Sequence, residues 1–184
     1  MRDLLSYCRS ILASLHAHGF SEAIVAGGAI RDLDNGKEAT VKDIDVVIFD
    51  RPNYLLDLRM ALRDFNHKVA VPENVANYLS FENVSCVHEF SEEGGIPVQV
   101  VVSRHPRSAY EILERHDFGI CQIGFNGRSI IKTTAYEADK YQSCFTLVRC
   151  RDIQDYARSV GRHARLTASK YHGWPLIWDG KYTH

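Results

Sequence analysis

A chain of 184 residues, 45% hydrophobic and 24% charged, is long enough for one domain with a real core and has the composition of neither a disordered nor a fibrous protein. Its formal net charge of −1 gives no global signal for nucleic acid, so any affinity for a polyanion has to come from a local patch. No run approaches the roughly 18 apolar residues of a membrane span, and an N-terminus with an acid at Asp3 and no long apolar stretch does not read as a signal peptide.

Cys8, Cys86, Cys121, Cys144 and Cys150 are odd in number and form no CxxC pair, which is expected of reduced core thiols in a cytoplasmic protein. Leu4, Leu5, Cys8, Ile11, Leu12 and Leu15 recur at helical spacing, predicting an amphipathic helix over residues 2–18 that Gly19 closes as a left-handed cap. Ala23-Ile-Val-Ala26 is a short apolar run that stops at Gly27-Gly28, the pattern of a buried strand ending in a tight turn. A helical turn from Ala29 and a polar loop over 34–40 follow. Asp43-Ile-Asp-Val-Val-Ile-Phe49 reads as the second strand, its alternation placing Asp43 and Asp45 on one face and Ile44 on the other.

Residues 53–65 are read as a helix, with short strands around 78–81 and 85–90. After Gly94-Gly95, residues 96–102 are a strong β-branched strand. A helix over 108–114, a strand over 120–125 and a hairpin turn at Asn126-Gly127 returning through 129–132 come next. Residues 152–171 are helical and basic, and Trp174, Pro175 and Trp178 form an aromatic tail. The whole is an α+β domain with a mixed sheet over residues 1–148, and residues 149–184 form a basic helical and aromatic extension packed on it.

Three pieces carry chemistry: Gly27-Gly28, Arg31-Asp32, and Asp43-Ile44-Asp45. Singly they have bland readings as a turn, a solvated helix end and a solvent-facing strand edge. Together they are more specific. Two carboxylates pointing the same way repel each other unless a cation sits between them. The strand then continues as Val46-Val-Ile-Phe49, which marks an interior position rather than a surface edge. Paired hard oxygens suit Mg²⁺ or Mn²⁺, which share their shell with phosphates and water. The glycines let backbone N–H groups approach a triphosphate that a side chain would block.

Gly27-Gly-Ala-Ile-Arg31-Asp32, a short loop, then Asp43-Ile-Asp45 resembles the signature of the head domain of bacterial poly(A) polymerases and CCA-adding tRNA nucleotidyltransferases, in the DNA polymerase β-type nucleotidyltransferase superfamily. Arg115-His116-Asp117-Phe118-Gly-Ile120 resembles that family's Arg-Arg-Asp-Phe-Thr-Ile motif, and the match spans about residues 23–125. The resemblance implies a nucleotidyltransferase fold, with a mixed sheet of about five strands and helices packed on one side. It implies transfer of NMP from an NTP such as ATP, with Asp43 and Asp45 as catalytic metal ligands. Gly27, Gly28, Arg31 and Asp32 would form the triphosphate pocket, and Arg115 and Asp117 would contact the nucleotide; apart from the resemblance, Asp117 is a catalytic candidate as a substitute for the third acid that Gln99 replaces.

Two departures stand out. Gln99 occupies the third-acid position, where an amide neither acts as a base nor binds a second metal well. Little chain follows the head-like part, so a helical body that grips tRNA is not expected, nor is CCA addition. The expectation is a minimal stand-alone member of the kind seen in bacteriophage and bacterial genomes, acting on a hydroxyl of a nucleic acid, small molecule or protein. The alternative is a degenerate nucleotide- or nucleic-acid-binding module of the same fold; a toxin-like modifier of tRNA or protein would share the site and differ in acceptor.

The C-terminal segment offers Arg149, Arg151, Arg158, Arg162, His163, Arg165 and Lys170, a basic face that would contact RNA phosphates or remain simply solvated. Tyr171, Trp174 and Trp178 would stack on bases or clasp the core. His88, His105 and His116 fall near the site in sequence order, but no His/Cys set has zinc-ligand spacing. Neither a Gly-x-Ser-x-Gly elbow nor a phosphate loop ending in Gly-Lys-Ser/Thr is present.

Overall fold

The structure, a computed structural model, describes residues 3–63, 84–90, 95–104 and 108–183. The strand expected around 78–81 and His105 lie outside the described residues. Helix α1 (Leu4–Ala17) begins where the Asp3 carboxylate accepts the Ser6 N–H, and it buries Leu4, Tyr7, Cys8, Ile11, Leu12 and Leu15 along one stripe. Strand β1 (Ile24–Ala26) is wholly buried and runs into α2 (Gly28–Asp34). Strand β2 (Ile44–Phe49) alternates buried and half-buried residues, as its sequence predicts. Helix α3 (Tyr54–Ala61), strands β3 (Val84–Phe90) and β4 (Val98–Ser103), and the short helix α4 (Ala109–Glu114) complete the first part.

Strand β5 (Ile123–Phe125) starts later than the expected 120 because Gly119–Cys121 close a 3₁₀ turn. It pairs with β6 (Ile130–Lys132) across the Asn126-Gly127 turn. Helix α5 (Thr134–Gln142) was not legible, being polar with a weak stripe. Its Thr133 cap accepts the Tyr136 N–H, and its buried Asp139 accepts the N–H groups of Ile120 and Thr146. Strand β7 (Phe145–Thr146), helix α6 (Ile153–Ser169) and strand β8 (Leu176–Ile177) follow, with β7 and β8 paired in parallel.

The main sheet has six strands in the order β3-β4-β2-β1-β5-β6. Only β2 and β4 run parallel; the other neighbours are antiparallel. This is the mixed α+β sheet, with six strands instead of about five. On one face Ile44, Val46, Ile48, Val98, Val100 and Val102 meet α1, α2 and α3 in the main core, which extends through Phe118 and Tyr136 to Phe145 and Tyr171. The other face is not bare. Ile24 and Ala26 pack there against Ile112 and Leu113 of α4, so one short helix covers the sheet beside the end of β1.

Phe145 is the hub of the C-terminal packing, with the rings of Phe118, His163, Tyr171 and Trp174 all edge-on to it at 5.2–5.8 Å. Trp178 lies against Tyr156 at 4.3 Å. All five cysteines are free thiols, and among the described residues no helix is long and apolar enough to cross a membrane.

The passage of α4 over β1 and β5 requires a residue without a side chain at Gly124. A Cβ there would lie 2.7 Å from Ile24 Cδ1 and 2.8 Å from the Val25 carbonyl oxygen, and the backbone has nowhere to go. Gly124→Ala is expected to lower stability by about 1–3 kcal/mol, the usual cost of overpacking a core. Urea denaturation measures it, and an unchanged midpoint would contradict this packing.

Candidate active site

Strand register assembles the site. Ala26, the last residue of β1, pairs with Asp45, so the chain leaves β1 at the end of β2 that carries the two aspartates. It turns at Gly27, with φ 72° and ψ −122°, a conformation that only glycine adopts without strain. The Gly27 N–H donates to the Ile123 carbonyl at 2.9 Å, and no side chain caps the first turn of α2 beyond it. Asp43 and Asp45 are half-buried and flank the buried Ile44, which puts both carboxylates on one face. Gln99 stands beside Asp45 in the parallel β2–β4 ladder, and Glu89 stands beside Gln99 across β3.

The Arg115–Asp117 segment leaves α4 on this same face and meets the glycine turn. His116 Nε2 lies 3.1 Å from where a Gly27 Cβ would be, and its Nδ1 is bonded to the Leu113 carbonyl. Burial, and then the nearby Arg162, push the His116 pKa below the ordinary value, so the neutral ring is favoured. Arg115 is half-exposed at the end of α4. Asp117 is committed to its own chain. Its carboxylate accepts from Arg162 at 2.6 Å, Ser159 at 2.9 Å and the Phe118 N–H at 3.0 Å, and so docks α6 beside the site. Asp117 in turn raises the pKa of Arg162, with smaller help from Cys121 and Asp45, so a fixed cation stands within electrostatic reach of Asp45.

Arg31 and Asp32 are 2% and 1% exposed and form a buried ion pair at 2.7 Å. Arg31 also reaches Tyr171 Oη at 3.2 Å, while Asp32 accepts from the Tyr171 hydroxyl at 2.9 Å and from Lys170 Nζ. Burial opposes the charge on Arg31, but Cys121, Asp32 and Tyr171 outweigh it and the guanidinium stays a cation. The pair therefore ties α2, just behind the glycine turn, to the end of α6. Much of the basic face read from sequence is paired internally: Arg151 and Arg158 with Asp155, Arg162 with Asp117, and Lys170 with Asp32.

Among the described residues no three His, Cys, Asp or Glu side chains are gathered to hold a metal alone. Asp43 and Asp45 still fit Mg²⁺ or Mn²⁺, because Mg²⁺ commonly takes one or two carboxylates and completes its shell with substrate phosphate and water. The sequence did not single out Glu89, although an acid among the apolar residues of a strand was the available signal. The Ser159 and Arg162 partners of Asp117 carried no local signal at all.

A model of the Gabija anti-defense 2 (Gad2) family matches residues 2–138. The chain belongs to the Gabija anti-defense 2 family. No curated protein sequence matches it. Among solved structures, this Gad2-family chain is similar to the Bacillus stearothermophilus CCA-adding enzyme in complex with CTP, at 19% identity and TM-score 0.68 over 96% of this chain and 42% of that one. It is similar to the Thermotoga maritima CCA-adding enzyme complexed with tRNA, at 17% identity and TM-score 0.69 over 95% and 41%. A tRNA nucleotidyltransferase complexed with a primer tRNA and an incoming ATP analogue matches at 18% identity and TM-score 0.58 over 84% and 43%. The chain thus has the nucleotidyltransferase fold and spans less than half the length of these structures.

Removing Arg31 leaves Asp32 buried with a partner missing. Arg31→Met is expected to cost about 3 kcal/mol, the low end for breaking a buried pair. Chemical denaturation measures it, and wild-type stability would show that the network holds nothing.

Proposed function

We propose that this chain is a metal-dependent nucleotidyltransferase that moves NMP from an NTP onto a hydroxyl acceptor and releases pyrophosphate. The observation that supports this reading is the pair of acids either side of the buried Ile44 where β2 begins, with Asp45 paired to Ala26 just before the Gly27-Gly28 turn, on the fold shared with a CTP-bound CCA-adding enzyme. Asp43 and Asp45 would hold Mg²⁺ or Mn²⁺, which when bound neutralises phosphate charge and polarises the reacting phosphoryl group.

The rest is done by this chain's own groups. Gly27 and Gly28 leave the backbone bare at the head of α2, so the triphosphate comes close to the main chain there. Arg31 and Asp32 hold α2 rigid behind that turn. Arg115 faces the nucleotide, and Asp117 acts by positioning Arg162 and α6, since its carboxylate already accepts three hydrogen bonds within the chain. The acceptor hydroxyl forms a bond to the α-phosphorus as the bond to pyrophosphate breaks, and the acceptor proton leaves to solvent. RNA is the acceptor class favoured by the tRNA-bound neighbours. The family description adds a context, anti-defence against Gabija.

Gln99 beside Asp45 favours a second reading, a module that binds nucleotide without transferring it. Incubation with each α-labelled NTP and Mg²⁺ or Mn²⁺, with pyrophosphate release as readout, separates the two. Asp43→Ala and Asp45→Asn are each expected to lower turnover by about 10³-fold, or ~4 kcal/mol of barrier, with an unchanged circular dichroism spectrum. Full activity in either variant would remove the mechanism.

A further inference from the structure

We propose that Glu89 supplies the acid that β4 lacks, as an oxygen ligand for a second divalent ion shared with Asp45. This rests on the nucleotidyltransferase reading and deepens it. Asp45 pairs with Gln99 in the parallel ladder and Gln99 pairs with Glu89 in the antiparallel one, so the three side chains form a single rank on one face of the sheet. Neighbouring strands lie about 4.8 Å apart, which sets Glu89 one lane beyond Gln99. Its side chain spans that lane: Gln99 Nε2 donates to Glu89 Oε2 at 3.2 Å, so the carboxylate is drawn to the tip of the residue that replaces the acid.

Among the described residues, no cationic side chain accounts for the acid at this position. Glu89 shares its face of β3 and β4 with Val87 and Val101, 2% and 8% exposed, as well as with Gln99 and Ser103. Glu89 is half-buried, and among the described residues it makes no ion pair; the hydrogen bond it receives comes from a neutral amide. A carboxylate whose hydrogen bond comes from a neutral amide keeps oxygen lone pairs for a hard cation. Acid and amide have in effect changed strands. The carboxylate comes from β3, and Gln99 is the positioning residue that turns it toward Asp45.

The test uses the full chain and Mn²⁺ as probe, with bound ions counted by electron paramagnetic resonance, independently of turnover. Wild type is expected to bind two ions, as two-metal phosphoryl-transfer sites do. Glu89→Gln should weaken the second by about tenfold or more and leave the first intact. The exchange variant Glu89→Gln/Gln99→Glu, which returns the acid to β4, should restore it. Wild-type stoichiometry and affinity in Glu89→Gln would overturn the proposal, as would failure of the exchange variant to recover the second ion. Asp45→Asn distinguishes the parent reading: if it leaves Mn²⁺ binding unchanged, the two-aspartate site itself is wrong, whereas loss in Asp45→Asn without loss in Glu89→Gln sinks Glu89 alone.

Discussion

The proposed site depends on two acids held close together, Asp43 and Asp45 on either side of Ile44 where β2 begins. Asp43 and Asp45 are two residues apart, so their Cα atoms are about 6.8 Å from each other, and at an effective dielectric near 20 unit charges at that separation repel by about 2 kcal/mol. The fold does not relieve the repulsion by turning one of them away, because Ile44 between them is fully buried and fixes which way its neighbours point. Beside Asp45 it sets a bare glycine turn with the His116 ring against it, and the guanidinium of Arg162 within electrostatic reach.

The C-terminal part gains its meaning from this. Helix α6 reads as a basic rod, yet Arg162 on it and Lys170 at its end are spent on Asp117 and Asp32. Those contacts brace the two segments that flank the aspartates. Asp117 follows the His116 that leans on Gly27, and Asp32 lies on the helix that begins at Gly28. The aromatic cluster around Phe145 holds the brace in place from behind.

How much of this was legible depended on the range of the interaction. The apolar stripe of α1, the Ala23–Ala26 run that stops at two glycines, and the acid–apolar alternation of β2 are local patterns, and each folds as its spacing says. So do the β-branched strand β4 and the hairpin at Asn126-Gly127. What was not legible is long-range pairing. Arg31 finds Tyr171 across 140 positions, and Asp117 finds Arg162 across 45, so the sequence shows the charges but not their partners. Strand order is likewise invisible locally, and with it the placement of Glu89 beside Gln99. Helix α5 escaped because its buried contacts are polar, through Asp139 and the Tyr136 hydroxyl, and not an apolar stripe.

The most direct measurement of the central claim is a crystal structure of the chain with Mn²⁺ and a non-hydrolysable NTP analogue, using the anomalous signal of manganese to place the ion. An anomalous peak between the Asp43 and Asp45 carboxylates is expected, with phosphate oxygens reaching the Gly28 N–H. A nucleotide bound away from the Gly27-Gly28 turn, or manganese that ignores both aspartates, would contradict it.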